Sequence, residues 1–390
     1  MRFQFVLIII LFLCLIGIST CGRKMPLPVV QPTPESFGAN DTSYIHLTPI
    51  WNNSQLGYQG TRPMAPVDIA IGEDGYLFVA DSANDQIVVL SPAGEVVQFQ
   101  RLNQIKPIRQ PRAVDIDSKL NLVIVNGTDK IYVWNQYLNN IGVDSILTEI
   151  TPDQHLIFEY NAEKIDSILG IHLLYRDTNE NASFQGVALG PADDNTLFVT
   201  DKTENRILKL ILHFTGAVKL KNGRVHPTFG ATYQTDIATY GSGAGTVDDP
   251  RGITVDDDGN IYFIQHGGNF LVQKLKKQGE KYFSEFTLYE DAIMDLNRFR
   301  APGDIALGKN DAIFVLDSGS GQVFKFFNKG ARAGELANLG KKGLVEAVFN
   351  NPTGLAVSAD EIVYVAETGK NQIRRYKFSV SEEDLPVEQP

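Results

Sequence analysis

The sequence predicts an all-β fold assembled from six copies of one unit of four antiparallel strands. Three observations predict it. One short pattern recurs six times along the chain. Its β-branched and aromatic runs are separated by turn residues, and the 390 residues include 34 glycines and 18 prolines. Apolar residues make up 43% and charged residues 21%, which is globular composition and excludes disorder of the whole chain. The length allows two or three domains, or one large all-β domain.

The first element is an address. Arg2 gives a basic start, and Phe5 to Ile18 is an unbroken apolar run. That run suits the core of a signal peptide and falls short of the roughly 20 residues of a membrane span. Ile18-Ser19-Thr20-Cys21-Gly22 follows. It resembles the bacterial lipobox, although that motif prefers Leu where Ile18 stands and Gly or Ala where Thr20 stands. The resemblance implies cleavage after residue 20 and lipidation of Cys21. An ordinary signal peptide with a chance cysteine, or an uncleaved anchor, are the alternatives. Cys14 lies in the apolar core, so cleavage leaves Cys21 without a disulfide partner. Gly22 is not the Asp that retains many lipoproteins at the inner membrane, so the expected address is exported, at the outer membrane. Residues 21–42 carry four prolines (Pro26, Pro28, Pro32, Pro34) and no periodicity, which reads as a flexible tether.

The repeats occupy 43–378. The first runs Pro66-Val67-Asp68-Ile69-Ala70-Ile71, turns at Asp74-Gly75, continues Leu77-Phe78-Val79-Ala80-Asp81, and ends with Asn84 and Gln86 to Leu90. The second starts at Pro111-Arg112, the third at Gln185-Gly186, the fourth at Pro250-Arg251-Gly252, the fifth at Pro302-Gly303-Asp304 and the sixth at Pro352-Thr353-Gly354. The equivalent residues Ile69, Val114, Val187, Ile253, Ile305 and Leu355 are 45, 73, 66, 52 and 50 apart. The shortest interval fits four short strands with tight turns, which is one propeller blade. The two longest carry insertions, about 136–183 and 211–247. These are aromatic-rich and read either as partner-gripping loops or as outer strands of enlarged blades.

Pro-x-Gly-Ile-x-Val, Asp-Gly-Asn-Ile-Tyr and Ala-Asp-x-x-Asn-x-x-Ile together resemble the NHL repeat. The resemblance covers roughly 43–378 and is weakest in the second copy. It implies a β-propeller, usually of six blades, and is nearly silent about function. The sixth copy lacks an outer strand, and Ser43 to about Trp51 is strand-like and precedes the first copy. That segment is expected to complete the last blade, because an open ring leaves unpaired backbone groups. An acidic tail, 379–390, follows.

Candidate site residues fall in three sets. Asp81, Asn126, Asp201, Gln265, Asp317 and Glu367 end the second strands. Short polar groups there can bond the backbone of the next hairpin, or together present a divalent-cation or polar-ligand site. Asp68, Arg112, Arg251 and Asp304 belong to the lead-in loops, which open on the same propeller face as the hairpins after the second strands. Two guanidiniums there can clamp an anion or pair with the neighbouring acids. His266 follows Gln265 on that face. Asp256-Asp257-Asp258-Gly259-Asn260 begins like a calcium loop but lacks the later glutamate. Asp-Gly is also ordinary hairpin chemistry. The fold resembles that of zinc or magnesium lyases, the amidating and streptogramin lyases, which need several converging histidines; only His266 is so placed here. No Gly-x-Ser-x-Gly motif occurs.

A net charge of -11 argues against a general nucleic-acid binder. The favoured reading is a monomeric, lipid-anchored binding or scaffold propeller, with a protein, peptide or glycan of the cell envelope as partner and no required cofactor. The alternative is a metal-dependent propeller enzyme of lyase or lactonase type, using a divalent cation on the acid ring with His266 assisting.

Overall fold

The computed structural model describes residues 43–99, 101–103, 108–286, 292–327, 329–330, 332–336 and 349–379. The chain divides into the units Met1–Thr42 and Ser43–Pro390. The expected signal segment, the tether with Cys21, and nearly all of the acidic tail lie outside the described residues.

The described part of the second unit is β-structure with two short helices and one 3-10 turn. Its strands form antiparallel sheets that follow the repeats. Sheet one holds Pro66–Ile71, Leu77–Asp81, Gln86–Leu90 and Val96–Val97 in that spatial order. Sheets two, four and five repeat the plan, starting at Ala113–Ile116, Pro250–Val255 and Pro302–Leu307. Sheet six has Pro352–Val357, Ile362–Glu367, Gln372–Ser379 and, outermost, Ser43–Asn52. That outermost strand pairs antiparallel with the last, with His46 opposite Tyr376 and Trp51 opposite Ile373.

The repeat register is uniform. Ile69, Val114, Val187, Ile253, Ile305 and Leu355 stand opposite Val79, Ile124, Val199, Phe263, Val315 and Val365. All six are buried. In five copies the register slips by a bulge just after the leading residue, as between Pro66 and Asp68.

The hydrophobic core lies between sheets rather than within one. Phe78 and Ala70 of sheet one pack with Trp134 and Val114 of sheet two. Corresponding clusters join two to three, three to four, four to five and five to six. A sixth joins sheet six to sheet one through Trp51, Tyr364, Ile69 and Leu77. A strand buried on both faces must be apolar on both faces, hence runs such as Leu77-Phe78-Val79.

Sheet three departs from the plan. Its third strand, Arg206–Leu220, and its fourth, Val225–Ala238, run far beyond the blade as one long hairpin. The far end of Arg206–Leu220 pairs with Val143–Ile150, which pairs in turn with Leu156–Glu159. The insertion after residue 136 therefore supplies two added strands, and also the outer strand of sheet two, His172–Arg176. Two helices underlie the extension, Gln136–Ile141 and Ala162–Leu169. Asn135 and Asn161 cap them, accepting from Leu138 N–H and Lys164 N–H. Leu138, Ile165, Leu169, Val143, Val218 and Leu220 form a satellite core there.

Candidate functional site

The acids that end the second strands act inside the sheets. Asp81, Asp201, Asp317 and Glu367 are wholly buried. Each accepts from a backbone N–H of its own lead-in loop: Ala65 at 3.0 Å, Ser183 at 2.9 Å, Ala301 at 2.7 Å and Asn350 at 2.6 Å. Gln265 does the same for Asp248 N–H at 3.0 Å. The second oxygens are engaged too. Asp81 receives Asn84 at 2.8 Å and the Tyr58 hydroxyl, Asp201 receives Arg206, Asp317 receives Ser320, and Glu367 receives Gln372 and Arg374. A loop without regular structure needs partners for its N–H groups, and one buried side chain provides them in five repeats, a carboxylate in four and the Gln265 amide in one. Asp256, in the calcium-like stretch, accepts from the N–H groups of Asp258 and Asn260. Among the described residues no group of three or more His, Cys, Asp or Glu is arranged to hold a metal.

A second set of bonds fastens five of the sheets to the next, at or beside its leading residue. Gly127 N–H donates to Phe184 O at 3.0 Å, Thr200 Oγ1 to Arg251 O, Ser318 Oγ to Pro352 O, and Thr368 Oγ1 to Pro66 O, the last three at 2.5 Å. His266 belongs to this set. Its Nε2 lies 2.9 Å from Pro302 O, and a carbonyl only accepts, so Nε2 carries the proton. His266 is exposed on the lead-in face and spends that nitrogen on a latch.

The arginines lie on the same face. Arg251 is about one-quarter exposed, donates to Asp249 at 2.9 Å and reaches Gln185 Oε1 at 3.4 Å. Its Nε is buried and, among the described residues, has no hydrogen-bond partner. Lys202 approaches Asp249 at 3.8 Å. Arg112 is exposed and, among the described residues, has no carboxylate partner. Arg112 and Gln185 both border Gly127. Sheets two, three and four thus bring two guanidiniums, a lysine, an amide and one carboxylate to one edge, with cationic excess. Gln185, Asp249 and Lys202 carry no repeat signal beyond their position and were not singled out from the sequence.

Asp68 and Asp304 are placed differently from the sequence expectation. They are not in lead-in loops. The bulge after the leading proline carries them into the first strands, and their carboxyls face a cavity of about 150 Å³ lined by all six first strands. Asp115 joins them there, and the sequence signal for it was an acid within the apolar run Val114-Asp115-Ile116. Each of the three spans two sheets. Asp68 accepts from Ile69 and from Val114 of sheet two, Asp115 from Ile116 and from Leu189 of sheet three, and Asp304 from Ile305 and from Leu355 of sheet six. First strands have no inner neighbour, so these N–H groups have no strand to pair with. The repeat position held by Asp68 and Asp304 is Gly186 and Gly354 in other sheets. A Cβ on Gly354 would stand 2.6 Å from the Asp68 backbone, and on Gly186 it would stand 2.2 Å from Arg251 O. Burial pushes the Asp68 carboxyl up to about 6 and that of Asp115 up to about 7, while their N–H partners pull both down. Burial and the neighbouring Asp68 hold Asp304 well above the carboxylate range. The charge of Asp68 and its hydrogen bond to Asp304 both favour the protonated form of Asp304.

Antiparallel sheets packed face to face about a polar-lined axis define a β-propeller. The chain matches no family profile. It is similar to Teneurin-4 of Homo sapiens, 25% identical over 207 residues, which are 46% of this chain and 7% of that protein. It is also similar to a Caenorhabditis elegans protein named as a probable peptidyl-alpha-hydroxyglycine alpha-amidating lyase, 27% identical over 195 residues, 49% of this chain and 51% of that one. The chain therefore spans a small part of the first relative and about half of the second. Among solved structures it is similar to a protein of unknown function from Bacteroides thetaiotaomicron, with TM-score 0.54, 14% identity, 87% of this chain and 77% of that one covered. An auxiliary nutrient binding protein from the same species gives TM-score 0.51 at 10% identity, covering 80% and 69%. At such identities the likeness is one of fold. Propeller neighbours include a gluconolactonase as well as binding proteins.

Proposed function

We propose that the chain is a six-bladed NHL-type propeller closed by Ser43–Asn52, exported and held at the outer membrane through lipidated Cys21. It serves as a binding or scaffold module for a protein, peptide or glycan of the cell envelope. One observation carries the binding reading: the sheet-three extension exposes large apolar side chains. Tyr160 is 76% exposed, and Ile150 and Phe214 are each 56% exposed. Several large apolar residues left in water along one extension of a rigid scaffold favour an interaction surface there. The lead-in edge bearing Arg112, Gln185 and Arg251 adds a site suited to an anionic group of the same partner.

The similarity to the amidating-lyase protein favours a second reading, a metal-dependent propeller enzyme. Elemental mass spectrometry of the purified protein, with thermal unfolding in and out of EDTA, separates the two. The binding reading expects no stoichiometric divalent ion and no shift. A bound ion whose removal lowers the melting temperature overturns it. A photo-crosslinking amino acid at Tyr160 or Phe214 in intact cells should in addition capture a discrete partner.

A further inference from the structure

The extension ends in an unguarded strand. Leu156–Glu159 pairs with Val143–Ile150 on one side, and among the described residues no strand lies on its other side. Thr151 N–H donates to His155 O at 3.0 Å, which makes that opposed pair the hydrogen-bonded one. Alternation along an antiparallel ladder then turns the N–H and C=O of Leu156 outward. The side chains about this edge are apolar and in water: Leu156 is 46% exposed and Ile157 38%. From Val143 to Glu163 the chain has five carboxylates, Asp144, Glu149, Asp153, Glu159 and Glu163, and no Lys or Arg. Edge strands are ordinarily blunted with charged side chains, lysine above all, with proline or with a covering segment. The charges about this one are all acidic, so they repel an acidic strand and leave the edge open to a basic one.

We propose that Leu156–Glu159 is a docking edge that takes an extended, alternately apolar and basic segment of another protein as an added strand. The free backbone edge supplies the hydrogen bonds, the apolar side chains the contact area, and the carboxylates the selection for Lys and Arg. A second copy of this chain is a poorer occupant, because pairing two such edges gathers Glu149 and Glu159 of both copies. The inference deepens the binding reading and rests on it.

The test uses the full-length chain in detergent and fluorescein-labelled octapeptides, read by fluorescence anisotropy. A peptide alternating valine and lysine should bind saturably, and its valine–glutamate counterpart at least tenfold more weakly. Leu156→Pro removes an outward N–H and leaves the bonds to Val143–Ile150 in place; it should weaken binding tenfold or more. Glu149→Lys with Glu159→Lys should reverse the peptide preference, and this pair keeps the test valid if the proline variant fails to fold. Equal binding of both peptides, or full binding by folded Leu156→Pro, overturns strand addition. A dimer in size-exclusion chromatography that the double lysine variant abolishes assigns the edge to a second copy and also overturns it. Failure of the peptide with continued crosslinking at Tyr160 in cells overturns this inference alone. Failure of both removes the binding reading as well.

Discussion

Asp115 makes the stability of this propeller depend on pH in an unusual direction. Its carboxyl accepts Leu189 N–H at 2.7 Å and Ile116 N–H at 2.9 Å, and burial pushes its pKa from 3.8 up to about 7. Well below pH 3.8 the group is protonated in both the folded and the unfolded chain. As pH rises toward 7, the unfolded chain releases the proton and the folded chain retains it. Folding therefore loses about 1.4 kcal/mol per pH unit across that window, about 4 kcal/mol in all. The first-strand acids are not sealed from the central cavity, and water there reduces the figure to about 2–3 kcal/mol. Asp68, raised to about 6, acts with the same sign over a narrower window. Urea unfolding at pH 5, 6, 7 and 8, followed by tryptophan fluorescence, should show these groups lowering stability as pH rises. Asp115→Asn cannot titrate. Its amide cannot accept Leu189 N–H while bonding Ile116, so at pH 5 it should be about 1–2 kcal/mol less stable than the parent. Its pH slope should be shallower, so that the two curves converge near pH 8. Parallel curves would refute the reasoning, because they would mean the Asp115 carboxyl keeps its ordinary pKa in the folded chain.

Trp51→Ala should cost about 3–5 kcal/mol, read as a fall in the urea midpoint, because the ring is buried between sheets six and one with the Arg375 guanidinium 4.1 Å from its centroid. Thr368→Val deletes the hydroxyl that donates to Pro66 O and should cost about 1–2 kcal/mol, with faster amide exchange confined to the junction of those two sheets. Cys21→Ser should move the protein from the membrane pellet to the soluble fraction after carbonate washing. Retention in the pellet would indicate an uncleaved anchor.

The inner strands were legible because two signals coincide in them, a leading proline and an apolar triplet that must be buried on both faces. Pairing of Ser43–Asn52 with the last strand was legible for a different reason: the final repeat stops one strand short. The position of Asp68 and Asp304 was not legible. A one-residue bulge moves them from the mouth to the axis, and nothing in Pro-Val-Asp or Pro-Gly-Asp announces it. The same holds for the roles of Asp81 and Glu367, which look alike as candidate ligands or as backbone partners until their oxygens are traced. The sheet-three extension lay in a stretch without repeat, where alternation over a few residues does not say which strand pairs with which. His266 was legible by place but not by task, because a histidine facing solvent gives no hint that its nitrogen holds a neighbouring carbonyl.

That latch has a further consequence. At five junctions the acceptor is a main-chain carbonyl, a group every residue type supplies. The donors are of three chemical kinds: a backbone amide at Gly127, hydroxyls at Thr200, Ser318 and Thr368, and an imidazole at His266. Selection for the bond therefore constrains geometry far more than it constrains letters. Donor positions are free to drift among chemistries as long as one hydrogen points the same way. Such degeneracy lets a regular assembly persist beneath repeats that diverge, and it is a physical route by which a chain this periodic in space comes to match no family profile.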